Sequence, residues 1–255
     1  MSPTRAPLVD RVAVVTGGSG GLGSAIARRL ADVGATVVVG YHRSAGGARD
    51  LVAELVAATG RPHMALPVPV TNSDAMRACA SCVIDELSRV DILVNCAGTT
   101  RFVPHEDLEA LDDGLIDEIL SVNVRGTFAA IRAFREPLIA SGAGLVVNIT
   151  SIAAQTAMGS NVIYCASKSA VENMTRSLAR ALAPTIRVVS VAPGLVDTEF
   201  VKSMDAAWRN RQSDMTPLGR LAQASDVADA VIATATLLRF STGTSIAIDG
   251  GRPLS

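Results

Sequence analysis

The chain of 255 residues carries 23 Lys and Arg against 24 Asp and Glu, and 49% of it is hydrophobic while aromatic residues make up only 3%. This composition excludes a disordered chain, supplies no basic field for nucleic acid or an anionic membrane, and offers few aromatic platforms for stacking on bases. No apolar run approaches the roughly 18 residues of a spanning helix, and the start MSPTRAPLVD lacks a signal-peptide core. We therefore expect one cytoplasmic domain, residues 1–255, with a small molecule as its partner.

The first half of the chain alternates short apolar runs with helical patterns. RVAVVT predicts a buried strand; a glycine-rich turn follows, and residues 25–33 have helical periodicity that ends at Gly34. Next come a strand ATVVVG, a helix ARDLVAELVAATG that ends at Gly60, a strand HMALPVPV and a helix SDAMRACASCVIDEL with Ser73 as its N-cap. The run DILVN predicts a fourth strand.

The second half continues the alternation. A long helical stretch from about 109 to 140 leads to the strand GLVVNIT, a helix over 164–182 and the strand IRVVSV. Residues 195–224 lack steady apolar periodicity and predict an irregular lid over a substrate, before the helix VADAVIATATLL and the strand SIAIDG. The whole pattern predicts an α/β fold, a Rossmann-type doubly wound parallel sheet with helices on both faces.

Two cysteines have the spacing of a metal or redox pair, but their surroundings favour packing. Cys79 and Cys82 lie on one apolar face of the predicted third helix, and the three histidines do not cluster in the sequence. We therefore predict core packing for the pair and no metal site.

The first turn has the context of a dinucleotide-binding loop. Residues 16–23 read TGGSGGLG, directly after a strand and at the start of a helix. Glycines allow the backbone to approach a pyrophosphate, and the helix aims its unpaired N–H groups and positive dipole end at the same anion. Taken alone, this turn could also be a simple tight loop.

Later motifs extend this reading along nearly the whole chain. NCAG occupies 95–98, Asn123 lies in SVNVRGTF, Ser151 precedes YCASK, and PGLVDT occupies 193–198. Together with the TGxxxGxG form of the turn, these motifs resemble those of the short-chain dehydrogenases/reductases. The resemblance implies a nicotinamide-dependent oxidoreductase that acts on a carbonyl or a secondary alcohol.

The catalytic roles follow partly from chemistry and partly from that resemblance. Lys168 lies four positions after Tyr164, so the two share a helix face and the ammonium stabilises the phenolate. Tyr164 would protonate the carbonyl oxygen during reduction while Ser151 hydrogen-bonds it. The resemblance implies that Lys168 also holds the nicotinamide ribose and that Asn123 supports a proton relay. Without the other motifs, the Tyr and Lys would indicate only an amphipathic helix with a snorkelling lysine.

The predicted cofactor contacts come from the glycine turn, the end of the second strand and the later motifs. They are Gly17, Ser19, Gly21, Leu22, Gly23, Tyr41, His42, Arg43, Ser44, Val70, Asn95, Ala97, Gly98, Tyr164, Lys168, Pro193, Gly194, Val196 and Thr198.

The end of the second strand favours NADP(H) over NAD(H). NAD enzymes usually place an acid there for the ribose hydroxyls, whereas this chain has no carboxylate in YHRS and offers Arg43 to a 2′-phosphate. Three departures from the family pattern bear on the cofactor. Gly20 stands where many NADP-preferring relatives carry a base, so NAD(H) remains open. Pro69 stands where an Asp often contacts adenine and Cys96 where NNAG has its second Asn, so adenine contacts must rely on backbone near Val70.

Within the family the chain resembles 3-oxoacyl-carrier-protein reductases and related ketoreductases. The resemblance is carried by Gly-Arg at 219–220, Thr-Gly at 242–243 and Asp-Gly-Gly from 249, and it implies a homo-oligomer, most simply a tetramer. Two alternatives stay open: an NAD-dependent dehydrogenase of a sugar, polyol or other secondary alcohol, and a non-catalytic cofactor-sensing protein. The predicted substrate contacts are mostly apolar: Ile152, Gln155, Met158, Val162, Phe200, Met204 and Trp208.

Overall fold

A computed structural model of the protein describes residues 6–254, and the side chain of Phe200, one of the predicted substrate contacts, lies outside the described part. Its strands form one seven-stranded sheet in the order β3-β2-β1-β4-β5-β6-β7, and every neighbouring pair is parallel. The predicted Rossmann-type doubly wound sheet is confirmed. The strands are β1 (Val12–Thr16), β2 (Thr36–Tyr41), β3 (Met64–Pro67), β4 (Ile92–Asn95), β5 (Gly144–Ile149), β6 (Ile186–Pro193) and β7 (Ser245–Ile248).

The helices connect these strands and also build the region after β6. They are α1 (Gly21–Asp32), α2 (Ala45–Thr59), α3 (Ser73–Leu87), α4 (Asp113–Leu120), α5 (Thr127–Ala140), α6 (Ala153–Thr156), α7 (Val162–Leu182), α8 (Glu199–Lys202), α9 (Ala206–Asp214) and α10 (Ala224–Thr236). A π-helical segment, Ser121–Gly126, joins α4 to α5, and a 3₁₀ turn spans Arg252–Leu254. Within the described residues, no helix is both long and apolar enough to cross a bilayer.

Two apolar layers cover the two faces of the sheet. On one face α1, α2 and α10 contribute Ile26, Leu51 and Val231 to a buried cluster; on the other α3 and α5 contribute Met76 and Phe134. Because both faces are covered, β1, β4 and β5 are buried along their whole length. The strand order reverses between β1 and β4, so a crevice opens beyond their carboxyl ends.

Two local predictions in the first half were wrong. The N-cap of α3 is Asn72, whose Oδ1 accepts hydrogen bonds from the backbone N–H groups of Asp74 and Ala75, both at 3.0 Å, and Ser73 is the first helical residue. The third strand ends at Pro67 instead of continuing to Val70. A proline lacks the N–H that a strand ladder needs, and a second proline follows two positions later.

The helical prediction over 109–140 was also imprecise. The helix starts at Asp113, with Asp112 as its N-cap, and its middle takes the π-helical form. Residues 195–224 are more ordered than the lack of periodicity suggested, because they contain α8 and α9. No residue of α9 is buried, so its sequence has no apolar stripe from which a helix could be predicted.

Candidate active site

The glycine turn between β1 and α1 is closed by contacts that exclude side chains at two positions. Gly17 has a φ of +65°, and a Cβ built there would lie 2.9 Å from Cα of Ala97. A Cβ at Gly23 would lie 2.2 Å from the carbonyl oxygen of Gly17. Gly21 differs, because the nearest heavy atom to its Cβ position is on Thr198 at 3.8 Å. The protein itself therefore leaves room at Gly21, at the N-terminus of α1.

A groove of about 530 Å³ runs along this turn. Besides the turn, it is lined by the ends of β2 and β3 and by the loop after β4. It brings together the predicted cofactor contacts Gly17, Ser19, Gly21, Leu22, Gly23, His42, Arg43, Ser44, Val70, Ala97 and Gly98.

A second cavity of about 490 Å³ adjoins the groove and has mostly apolar walls. Leu22, Cys96, Gly98 and Thr99 line both spaces, so one ligand could extend from the groove into the cavity. The cavity collects the predicted residues Ser151, Tyr164, Lys168, Pro193, Gly194, Val196 and Thr198, and also Ile152, Met158, Met204 and Trp208 from the predicted substrate contacts.

The helix α7 holds the Tyr and the Lys in fixed positions. Its N-cap is Asn161, which accepts a hydrogen bond from the backbone N–H of Tyr164 at 2.7 Å. One turn later the buried ammonium of Lys168 donates to the carbonyl oxygen of Ile149 at 2.9 Å and lies 5.6 Å from the centroid of the Tyr164 ring. The Lys168 cation and the Tyr164 ring therefore lie side by side at the wall of the cavity.

The serine side chain comes from the loop that follows β5. Its Oγ accepts a hydrogen bond from the backbone N–H of Ala153 at 3.2 Å, which leaves the hydroxyl proton of Ser151 as a donor. The backbone of this loop is tied to β6, because Ile152 donates its N–H to the carbonyl oxygen of Pro193 at 3.0 Å. Ser151 therefore presents a hydroxyl donor at the wall of the cavity that Tyr164 also lines.

Asn123 is buried in the π-helical segment and clamps the loop after β4. Its Oδ1 accepts from the N–H of Thr99 at 2.8 Å, while its Nδ2 donates to the carbonyl oxygen of Thr99 and to Oγ of Ser167, both at 3.1 Å. Ser167 in turn donates to the carbonyl oxygen of Tyr164 at 2.8 Å. Asn123 therefore joins the wall shared by the groove and the cavity to the first turns of α7.

Four predicted contacts lie elsewhere. Tyr41 packs against the core cluster next to α1 and α2. Asn95 is buried and donates to Oδ1 of Asn148 at 2.8 Å, within the sheet. Gln155 donates to the buried carboxylate of Glu172, at 3.2 Å to one oxygen. Val162, at the start of α7, is exposed and does not line the cavity.

Cys96 stands at the boundary of the two cavities. Burial raises the pKa of its thiol to about 11, against the opposing influence of the Lys168 cation. At neutral pH the thiol is therefore protonated and is not a candidate nucleophile. The Cys79 thiol, whose pKa burial also raises to about 11, packs in the core and donates to the carbonyl oxygen of Pro67. Among the described residues, no cluster of His, Cys, Asp and Glu could hold a metal ion.

Several residues that line these spaces were not predicted from the sequence. Thr99, Thr100 and Phe102 directly follow β4, and Arg252 follows β7. The rule that ligands meet the carboxyl ends of parallel strands would have found them. The same rule covers Thr71, which follows β3, whereas Glu118, Val122 and Gln212 line the spaces through packing between distant segments, which no local pattern shows.

Comparisons with known proteins agree with this geometry. The family profile described as short chain dehydrogenase matches residues 11–208. The chain is 34% identical over 247 residues to D-threitol dehydrogenase of Mycolicibacterium smegmatis, covering 96% of this chain and 93% of that one. It is 33% identical over 249 residues to 3-oxoacyl-[acyl-carrier-protein] reductase of Synechocystis sp., covering 96% and 97%. A mutant short-chain dehydrogenase/reductase from Serratia marcescens superposes with a TM-score of 0.88 at 32% identity, over 97% of this chain and 99% of that one.

Proposed function

This chain belongs to the short-chain dehydrogenase family and is an oxidoreductase that acts on keto or CH–OH groups; we propose that it reduces a ketone with NADPH and uses Tyr164 as the general acid/base. One observation carries this proposal. Ser151, Tyr164 and Lys168 line a cavity that shares four residues with the groove over the glycine turn. A dinucleotide in the groove and a carbonyl compound in the cavity would therefore meet beside Tyr164.

The groove fits a dinucleotide. Gly17 and Gly23 leave no room for side chains because the protein itself fills that space, whereas the space beside Gly21 is open. That open space lies at the N-terminus of α1, where backbone N–H groups favour a pyrophosphate. Lys168 would hold the nicotinamide ribose, and the bound cofactor would supply the hydride.

The side chains of this chain would handle the carbonyl oxygen and its proton. The hydroxyl of Tyr164 donates its proton to the oxygen of the ketone, and the Ser151 hydroxyl donates a hydrogen bond to the same oxygen as negative charge develops there. The Lys168 ammonium stabilises the resulting phenolate. In the direction of alcohol oxidation, the phenolate of Tyr164 accepts the hydroxyl proton instead.

The preference for the phosphorylated cofactor rests on charge at the end of β2. Arg43 lines the groove together with His42 and Ser44, and no acidic residue follows β2 before α2. A guanidinium matches the geometry of a phosphate and forms bidentate hydrogen bonds with it. An enzyme selective for NAD(H) needs acceptors for the ribose hydroxyls at this place, and the segment offers none that is charged.

The cavity walls favour an apolar ketone over a polyol. Ile152, Met158, Met204 and Trp208 line the cavity, whereas a polyol would need a hydrogen-bonding partner for each of its hydroxyls. Similarity to the reductase of Synechocystis supports a ketone substrate, and similarity to the D-threitol dehydrogenase supports a polyol. Residues 195–224 bring Met204, Trp208 and Gln212 to the cavity, and we propose that they act as a lid over the substrate.

The first experiment is a fluorescence titration of the purified protein with NADPH and with NADH, followed by turnover on a panel of ketones with the tighter cofactor. We expect NADPH to bind at least about tenfold more tightly, as a charge-assisted contact to the 2′-phosphate requires. Tighter NADH binding with turnover of polyols would favour the dehydrogenase alternative. Binding of a dinucleotide without turnover of any ketone or alcohol would favour a cofactor-sensing protein.

We also propose a homotetramer, in the cytoplasm. Exposed apolar side chains follow α10 in the sequence, where Leu237 is 79% exposed and Phe240 is fully exposed, and Leu254 is 87% exposed. Large exposed apolar surface marks interaction sites. Light scattering should report four chains, and Phe240→Ser should lower the mass; a monomeric wild type would contradict the proposal.

A further inference from the structure

Given the dinucleotide proposed above, on which this inference rests, its adenosine half has only one direction open to it. The pyrophosphate lies at the N-terminus of α1, and the nicotinamide must reach Tyr164, on the side of β5 and α7. The adenosine half therefore extends the opposite way, across the ends of β2 and β3. There the groove is lined by the segment from His42 to Ser44 and by the loop between β3 and α3.

The base would enter what we call the adenine slot, formed by Val68, Val70, Thr71, Glu118 and Val122. One wall is the loop after β3, and the other comes from α4 and the π-helical segment. Val122 and the small exposed parts of Val68 and Val70 give this part of the groove apolar surface for a purine ring.

Contacts behind the slot hold its loop wall in place. A Cβ at Gly126 would lie 2.8 Å from Cγ2 of Val70, so the loop packs directly on the π-helical backbone. Arg125 donates from Nη1 to the carbonyl oxygen of Thr71 at 3.1 Å. These two contacts tie the loop after β3 to the π-helical segment.

Glu118 lines the adenine slot and is exposed. It lies four residues before Val122, on the same helical face, and it is the one carboxylate among the described residues that line the groove. No hydrogen bond or ion pair of its side chain is found within the described part of the chain. The opposite loop reads PVPVT from 67 to 71 and carries no charged or amide side chain.

The polar edge of adenine suits such a group. Its exocyclic amine is a donor with two hydrogens, and an ionised carboxylate is an acceptor only. We propose that Glu118 accepts a hydrogen bond from the exocyclic amine of adenine and thereby makes the cofactor site selective for adenine dinucleotides. A base with a carbonyl oxygen in place of that amine would set two acceptors against each other and bind more weakly.

The test compares NADPH with its hypoxanthine counterpart, which has a carbonyl oxygen in place of the exocyclic amine. Dissociation constants for both are measured by fluorescence titration on the wild type, Glu118→Gln and Asp117→Asn. Asp117 is the matched control, because it is an exposed acid on the same helix that does not line the groove. We expect the wild type and the control to prefer adenine about tenfold, and Glu118→Gln to reduce that ratio to within about threefold.

The possible results separate this inference from the proposed function. An unchanged ratio of adenine to hypoxanthine binding in Glu118→Gln, with tight NADPH binding, would overturn the role of Glu118 and leave the cofactor assignment intact. A change in the ratio of NADPH to NADH binding instead would show that Glu118 acts on Arg43, and would also overturn it. A wild type that binds neither dinucleotide would overturn both proposals. Thermal unfolding of each variant confirms that the compared proteins are folded.

Discussion

The two adjoining spaces of this protein are built by different means. The groove over the glycine turn is shaped mainly by backbone, since Gly17 and Gly23 leave no space for side chains and α1 begins beside the open position at Gly21. The cavity is shaped by side chains from helix α7 and from the loops after β4, β5 and β6; Tyr164 on α7 and Ser151 after β5 carry the chemistry. A backbone site recognises what all dinucleotides share, whereas a side-chain site selects one reaction and one substrate.

Removal of the Tyr164 hydroxyl should greatly slow catalysis in the cavity and leave cofactor binding in the groove intact. We expect Tyr164→Phe to lower kcat by about 10²–10⁴-fold, the usual contribution of a positioned general acid/base. The dissociation constant of NADPH should change by less than about threefold, because a dinucleotide in the groove is held by the turn. Steady-state kinetics and fluorescence titration measure the two effects, and a turnover close to wild type would refute the general acid/base role.

Alanine substitutions at two glycines of the turn should impair cofactor binding in the groove for two different reasons. Gly23→Ala places a Cβ 2.2 Å from the Gly17 carbonyl oxygen, so the turn must open and the protein should lose both stability and cofactor binding. Gly21→Ala meets no heavy atom closer than 3.8 Å, so the protein should fold normally and bind NADPH about tenfold or more weakly, because the methyl group occupies the space for the pyrophosphate.

Gly46→Ala is the control for this pair, because no heavy atom outside the neighbouring backbone of α2 lies within 4 Å of its Cβ position. It should leave cofactor binding unchanged and raise the free energy of unfolding slightly, as alanine favours a helix. Thermal unfolding measures the stability of all three variants, and fluorescence titration measures their dissociation constants for NADPH. If Gly21→Ala bound NADPH as tightly as the wild type, the pyrophosphate would lie elsewhere.

Replacement of Arg43 tests whether a side chain adds cofactor selectivity to the groove, which is shaped mainly by backbone. Arg43→Gln removes the charge and should weaken NADPH binding by about tenfold while NADH binding changes little. The ratio should depend on salt, because screening weakens an exposed ion pair. Titrations with both cofactors at low and high salt test this, and an equal loss for the two cofactors would count against 2′-phosphate recognition.

The smallest expected effect is a pH dependence of stability at the amino end of the sheet, where His63 precedes β3. His63 accepts the N–H of Val37 at 3.0 Å on Nδ1, and burial, followed by repulsion from Arg61, lowers its pKa. The unfolded chain then binds the proton more readily. The free energy of unfolding should therefore fall as pH drops below about 6.5, by at most about 1.4 kcal/mol per pH unit, until His63 is protonated in the folded protein too.

The variant His63→Asn should flatten this slope, since the amide has an acceptor and does not titrate. The exposed His105→Asn serves as its control and should keep the wild-type slope. Urea unfolding between pH 5 and 8 measures both. Parallel curves for the wild type and His63→Asn would show that His63 contributes no pH dependence.

The site was predictable from the sequence where its function depends on local spacing. Tyr164 and Lys168 lie one helical turn apart, and the glycines at 17, 21 and 23 fall between a strand and a helix, so both features are visible without tertiary contacts. Asn95 was predicted as a cofactor contact from its motif, but the structure turns its amide to Asn148 inside the sheet. A motif specifies a position along the chain and not the direction of a side chain.

The sequence by itself determined the alternation of strands and helices, the parallel sheet, the glycine turn and the catalytic spacing, because these follow from periodicity and backbone sterics within a few residues. The tertiary structure alone decided that the groove and the cavity adjoin, that Asn123 clamps the loop at Thr99, and that Glu118 lines the same groove as the loop after β3. These juxtapositions join residues far apart in sequence, and their separations depend on how the helices pack against the sheet.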